Sequence, residues 1–231
     1  MQRAAMVESR LAEGDVALRR RLADDGFLLM RGVVSDGVVH ELQAAARRAA
    51  IDAGLNAPDG RFHRRENGGD VPVAVNKSVE LLRASLEFQR AKKAACLRPV
   101  LEAIGAIGPH PASHASFARF VPPFDDAGRM SAHQDQHYVP KPFHFVTLWV
   151  PILMPSAAGG IAVAAGSHRG GPVKHVDGRV AQLPTAWRIA KYAPGDVVVL
   201  GAYTIHKSLG NRASSIRVSA DFRFVLKRAN R

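Results

Sequence analysis

Along the first hundred residues apolar positions recur every three to four places, and beyond them they shorten into runs separated by proline and glycine, so the chain divides into a helical portion and a β-type portion. Residues 16–24 read as a short helix, followed by an apolar strand over 27–30 that stops at Arg31-Gly32. A longer helix is predicted after Ser35, which suits an N-cap; Val38, Val39, Leu42, Ala45, Ala46 and Ala49 form its buried face, and it ends near Gly54. Residues 57–70 carry Pro58, Gly60, Gly68 and Gly69 among charges and predict a long loop of the kind that serves as a lid. Ser78 is expected to cap a third helix reaching about Lys93, and residues 97–104 to form a fourth.

After Gly108 the runs at 116–121, 145–152, 160–163, 187–190, 197–200 and 216–225 predict strands. The expected architecture is α+β, mainly β, a helix-decorated barrel or sandwich. It forms one domain over residues 1–231, with helical support in 1–108 and the β core in 109–226. No internal repeat or low-complexity tract divides it.

Composition narrows the function classes. Hydrophobic residues at 47% and charged residues at 23% suit a packed globular chain. The single cysteine, Cys96, excludes an intrachain disulfide and a Cys-based metal site, which suits a reducing compartment such as the cytoplasm. Charges through the first fifteen residues exclude a signal peptide, and no segment has the apolar length of a membrane span. The net charge of +12 would attract anionic partners, although abundant arginine and alanine throughout supply a plain compositional origin. Without a zinc-finger spacing or an aromatic RNA-binding motif, a small-molecule partner is favoured over nucleic acid.

The chemistry concentrates in Ser131-Ala-His133-Gln-Asp135-Gln-His137-Tyr138. In an extended segment residues i and i+2 share a face, so His133 and Asp135 converge on one point. Two ligands bind a metal weakly, and His206, just after the apolar run at 197–200, is the candidate third. Two histidines and one carboxylate on one face of an octahedron match non-haem iron(II) oxygenases; surface or core histidines are the plain alternative. Arg217, eleven residues after His206, stands on a run that continues Val218, Ala220 and Phe222, where a buried charge needs a partner. A dicarboxylate suits it, since charge-assisted bonds to guanidinium contribute about 1.5–3 kcal/mol. A surface arginine on an alternating strand is the competing reading.

Four motifs in order resemble the phytanoyl-CoA dioxygenase family: His133-Gln-Asp135-Gln-His137-Tyr138, then Gly159-Gly160 through Gly166-Ser167-His168-Arg169-Gly170, then Pro194-Gly195-Asp196 with Ile205-His206-Lys-Ser208, then Arg217. The resemblance spans about residues 24–224 and implies a double-stranded β-helix holding iron(II) on His133, Asp135 and His206. It implies 2-oxoglutarate on Arg217, with Ser208 assisting at the same carboxylate. Trp149 resembles the family's tryptophan near the cosubstrate, and Lys77 a basic residue upstream of the barrel; a core aromatic and a solvated lysine are the alternatives. Ala165 departs from the family's usual proline, which touches the rigidity of the turn and not the chemistry. His137 is either substrate-facing or metal-facing, and Tyr138 substrate-facing. His63, Arg64 and Arg65 in the first loop, and His175 and Arg179 in a second predicted lid at 170–184, are further substrate contacts to test.

The implied reaction consumes 2-oxoglutarate and O2, releases succinate and oxidises an unactivated C–H bond of a small molecule. A carboxylate at Asp135 argues against halogenation, since halogenases of the wider superfamily carry a small residue there. Hydroxylation or oxidative cyclisation in natural-product biosynthesis is the leading expectation. An acyl-CoA or carrier-bound substrate is the alternative, and a non-catalytic metabolite-sensing barrel the alternative of another class.

Overall fold

The computed structural model describes residues 2–57, 59, 61–62, 71–112, 116–125, 130–139 and 144–227. In chain order its elements are β1 (Gln2–Ala5), α1 (Asp15–Asp25), β2 (Phe27–Met30), α2 (Asp36–Asp52), α3 (Val71–Ala84), α4 (Leu86–Ala91), α5 (Arg98–Ala103), β3 (Ala106–Pro109) and β4 (Phe117–Val121). There follow β5 (Phe145–Leu153), β6 (Ile161–Val163), β7 (His175–Val176), β8 (Arg179–Val180), β9 (Ala186–Ile189), β10 (Val197–Gly201), β11 (His206–Ser208) and β12 (Arg217–Leu226).

Two sheets carry the fold. The larger runs β2-β10-β5-β12-β3, with β4 also paired to β12, and the smaller runs β1-β9-β6-β11. Their pairings are antiparallel except for β1 with β9. This is the double-stranded β-helix expected above. Strand β5 is buried along eight of its nine residues, because the helices cover the outer face of the large sheet and the small sheet covers its inner face.

Alternation along each strand sorts residues between these two cores. Leu148, Val150, Val218, Ala220, Phe222 and Phe224 face outward onto Leu42, Ala46, Leu82 and Phe88 of the helices. Phe222 packs at a tilt against Phe88, 5.0 Å between ring centroids, and burying each such side chain stabilises the fold by about 1.5–3 kcal/mol. Trp149, Val198 and Leu200 face inward onto Ile161 and Val163.

The structure corrects three readings. Ser78 caps no helix; it lies inside α3 and its hydroxyl donates to the Ala74 carbonyl at 2.7 Å. The apolar spacing extends back through Ala74 and Val71, and Ser85 is the cap that divides α3 from α4, accepting from the Phe88 amide at 3.2 Å. The helical first half also contributes an unforeseen strand, β1, which pairs with Ala186–Ile189, beside the expected β2, which pairs with Val197–Leu200. Finally, the apolar residues after Arg217 do not surround it. They occupy the opposite face of β12, and Arg217, Ser219, Asp221 and Arg223 form a polar row turned into the barrel. Among the described residues no helix is long and apolar enough to cross a membrane.

Candidate metal centre

His133 and His206 come together through a single antiparallel bridge, with reciprocal backbone bonds of 3.0 and 3.1 Å that extend the β11 edge. The Gly166 turn fixes the approach: Gly166 adopts φ 73, and the adjoining Ser167 hydroxyl accepts from the Ile205 amide at 2.8 Å, one residue before His206. Asp135 does not continue an extended segment. Gln134 is extended, and a 3-10 turn begins at Asp135, so the backbone bends and brings the carboxylate under both rings. Buried Gln134 holds this bend, donating from Nε2 to the Tyr203 and Gly171 carbonyls at 2.7 and 2.8 Å and accepting from the Val173 amide at 3.0 Å.

Ligand atoms of His133, Asp135 and His206 all lie within 4.8 Å of one another, and all three residues are buried. Asp135 Oδ1 is 3.6 Å from His133 Nε2 and 3.9 Å from His206 Nε2. Each imidazole has its Nδ1 against a backbone carbonyl two residues earlier, Ser131 at 2.7 Å and Thr204 at 3.0 Å. With Nδ1–H donated there, each Nε2 lone pair faces the common centre. Burial, reinforced by His133 and opposed by Asp135, pushes His206 down to about 4, so its ring is neutral near pH 7. Burial works against the Asp135 charge, yet the Arg223 guanidinium, with the two histidines, holds the carboxyl well below the usual range. Arg223 Nη2 donates to Oδ1 at 2.8 Å, and the Thr147 hydroxyl donates to Oδ2. Two neutral imidazoles and one ionised carboxylate are the donor set a divalent iron accepts.

Arg217 is wholly buried, and its N–H groups are unevenly used. Nη1 faces the carbonyls of Gly159 at 2.5 Å, Leu209 at 2.9 Å and Gly160 at 3.0 Å, while Nη2 donates to Ser208 Oγ at 2.6 Å. Nε has no hydrogen-bond partner among the described residues, and one Nη2 hydrogen is left over. These two N–H groups lie side by side on one edge of the guanidinium, the fork that receives a carboxylate in bidentate fashion. Burial, with Arg119 adding repulsion against the opposing pull of Asp221 and Asp125, lowers Arg217 to about 10. A buried cation surrounded by neutral acceptors and carrying an open fork fits the distal carboxylate of a dicarboxylate.

A cavity of about 210 Å³ opens beside the triad, lined by His133 and Asp135 together with Arg119, Asp221, Arg223, Phe117 and Tyr138 among others. Tyr138 stands at the rim, its ring edge against His133 at 5.5 Å between centroids and its hydroxyl donating to Gly178 O at 2.6 Å. His137 does not face the metal centre. It is exposed and stacks on His175 at 4.1 Å, because the 3-10 turn breaks the alternation that would have carried it inward. Trp149 lies in the inner core, edge-on to Tyr192 at 4.8 Å and paired in register with Asp221. Lys77 is not brought to the site: it occupies the solvent face of α3, whose buried face is Ala74, Ser78, Val79 and Leu82. His175 belongs to the β7–β8 hairpin, its Nε2 accepting from the Gln134 amide at 3.2 Å, and Arg179 is exposed on the same hairpin. His63, Arg64 and Arg65 lie outside the described residues.

Arg119, Thr147, Asp221 and Arg223 were missed as site residues. The signal was the period-two alternation of Arg217, Ser219, Asp221 and Arg223 against Val218, Ala220, Phe222 and Phe224, which marks a polar row facing one way.

A family model described as "Phytanoyl-CoA dioxygenase (PhyH)" matches residues 22–219. A curated relative, 1-deoxypentalenic acid 11-beta-hydroxylase of Streptomyces arenae, is 32% identical over 128 residues, covering 46% of this chain and 45% of the relative; the match thus spans less than half of that hydroxylase. Among solved structures, the epimerase SnoN in complex with Fe3+, alpha ketoglutarate and nogalamycin RO superposes with a TM-score of 0.64 at 18% identity, covering 92% of this chain and 83% of its own. EvdO2 from Micromonospora carbonacea var. aurantiaca, complexed with 2-oxoglutarate, gives a TM-score of 0.62 at 20% identity over 99% and 96%.

Proposed function

Because the chain belongs to the phytanoyl-CoA dioxygenase family, we propose that it is an iron(II)- and 2-oxoglutarate-dependent oxygenase acting on a small molecule. His133, Asp135 and His206 hold the metal, and Arg217, with Ser208, holds the distal carboxylate of 2-oxoglutarate. The observation that carries this reading is the conjunction of a buried His-Asp-His cluster with a buried arginine whose Nε–H and second Nη2–H have no acceptor among the described residues. Iron(II) and 2-oxoglutarate, when bound, supply the O2-dependent oxidation of a C–H bond, releasing succinate and CO2.

The chain's own residues do the positioning. Ser131 and Thr204 carbonyls fix the imidazole tautomers, Arg223 and Thr147 fix the carboxylate, and Arg217 orients the cosubstrate through its rigid fork. Tailoring of a natural product, by hydroxylation or a related oxidation, is the reaction class we favour, in keeping with the named activities of the relative and of the SnoN neighbour.

Anaerobic titration with iron(II) and then 2-oxoglutarate tests the reading. A visible charge-transfer band that requires both additions, and that His133→Ala or His206→Ala removes, is expected, together with slow succinate release on admitting O2. Absence of the band and of 2-oxoglutarate binding in the unaltered protein would sink it.

A further inference from the structure

Two charged groups in the cavity bond to neither the triad nor the cosubstrate anchor. Arg119 on β4 and Asp221 on β12 are diagonal neighbours on the inner face, since Arg119 pairs with Ser219 and Phe117 with Asp221. Diagonal side chains of this length are close enough to meet. Yet among the described residues neither side chain makes a hydrogen bond or an ion pair, with the other or with any other group. Arg119 leans instead over the Phe117 ring, 5.7 Å from its centroid. Mutual neutralisation across the gap is the plain reading, but both groups are part-exposed at the cavity and keep their donors and acceptors available to a third partner seated between them.

Resting on the oxygenase reading above, we propose that Arg119 and Asp221 are the specificity pair of this site. They select a small substrate that presents an anionic oxygen group to Arg119 and, close by, a hydroxyl or ammonium donor to Asp221. Asp221 lies two residues from Arg223, which bonds the Asp135 carboxylate, whereas Arg119 pairs with Ser219 further along the strand, so the donor-bearing end of the substrate is the end nearer the metal. Burial, opposed by Arg119 and Arg223, raises the Asp221 carboxyl. A site built to bond such groups rejects analogues lacking them strongly, because its own polar atoms are then left unpaired.

The test uses the full chain loaded with redox-silent zinc(II) and 2-oxoglutarate. Binding of butyrate, 3-hydroxybutyrate, 4-aminobutyrate and butyl phosphate is followed by saturation-transfer NMR. The two donor-bearing acids should bind more tightly than butyrate. Arg119→Gln should weaken all four probes about tenfold, a loss typical of one charge-assisted bond. Asp221→Ala should bring the donor-bearing acids down to the butyrate level while leaving butyrate unchanged. The ratio of butyl phosphate to butyrate identifies the anion preferred. Equal binding of butyrate and the donor-bearing acids to the unaltered protein overturns the proposal, and that comparison needs no variant to fold. Loss of 2-oxoglutarate binding in Arg119→Gln overturns it too, by making Arg119 the cosubstrate's anchor. Failure of the unaltered protein to bind 2-oxoglutarate at all is the separate failure of the oxygenase reading.

Discussion

Arg223 donates from Nη2 to Asp135 Oδ1 at 2.8 Å, and this is the same oxygen that lies nearest both imidazoles. The carboxylate of the centre therefore has an internal counter-charge before any metal arrives. Removing one member of a buried pair leaves the other charge uncompensated, which costs about 3–5 kcal/mol. Arg223→Leu is expected to lower the stability of the metal-free protein by that order in chemical denaturation. Manganese(II) should recover much of the deficit, because the ion replaces the missing positive charge; a deficit that metal leaves untouched would refute the counter-charge role.

Acid should unfold the metal-free protein early. His206 titrates at about 4 when folded, against an ordinary value of 6.5 for the free side chain, so between those values the unfolded chain binds the extra proton and stability falls as pH falls. The loss is on the order of 3 kcal/mol by about pH 4. Asp135, with its depressed carboxyl, withdraws its own contribution at still lower pH. Urea unfolding between about pH 4 and pH 7 should show this slope, and His206→Gln should flatten it.

Arg217 has two duties that one variant can separate. Losing the fork should raise the 2-oxoglutarate concentration needed for half-maximal succinate formation by about 10- to 100-fold, the equivalent of one charge-assisted pair. Losing the donors to the Gly159, Gly160 and Leu209 carbonyls should lower the melting temperature as well. Arg217→Lys keeps the charge without the fork and should rescue the second effect more than the first. An unchanged 2-oxoglutarate requirement in Arg217→Gln would count against the cosubstrate assignment.

Gln134 ties the metal-bearing bend to the segment that carries the β7–β8 hairpin. Gln134→Ala strands the Gly171 and Tyr203 carbonyls and the Val173 amide, each at a cost of about 1–3 kcal/mol where burial is complete. Faster amide exchange over residues 170–184 than elsewhere is the expected signature in hydrogen-exchange mass spectrometry. Uniform acceleration across the whole chain would mean that the residue supports the fold and not this hairpin.

Strands β4, β5, β6, β9, β10 and β12 were legible because each follows a short apolar run set among prolines and glycines, whereas β7, β8 and β11, two or three residues long and partly polar, were not. The triad was legible because H-x-D and His206 fell beside such runs. What escaped notice was set by partners distant in sequence. Gln2–Ala5 has no apolar run of its own and is a strand only because Ala186–Ile189 offers it an edge. Asp135 leaves the extended path because Gln134 is held by carbonyls far along the chain, and with that bend went the metal-facing alternative for His137. Lys77 follows the alternative reading, a solvated lysine, for a different reason. Its neighbours read as the start of a helix, but the turns before them already continue it, which carries the lysine onto the outer surface.

The order of the smaller sheet makes β1 its outermost member, covering the backbone of Ala186–Ile189. Trimming the first few residues, or fusing a bulky tag so that they cannot dock, would uncover a row of amides and carbonyls able to zip onto a neighbouring molecule. Oligomers or precipitation in such preparations would then report a bared strand edge, and would say nothing about how copies of the intact chain associate.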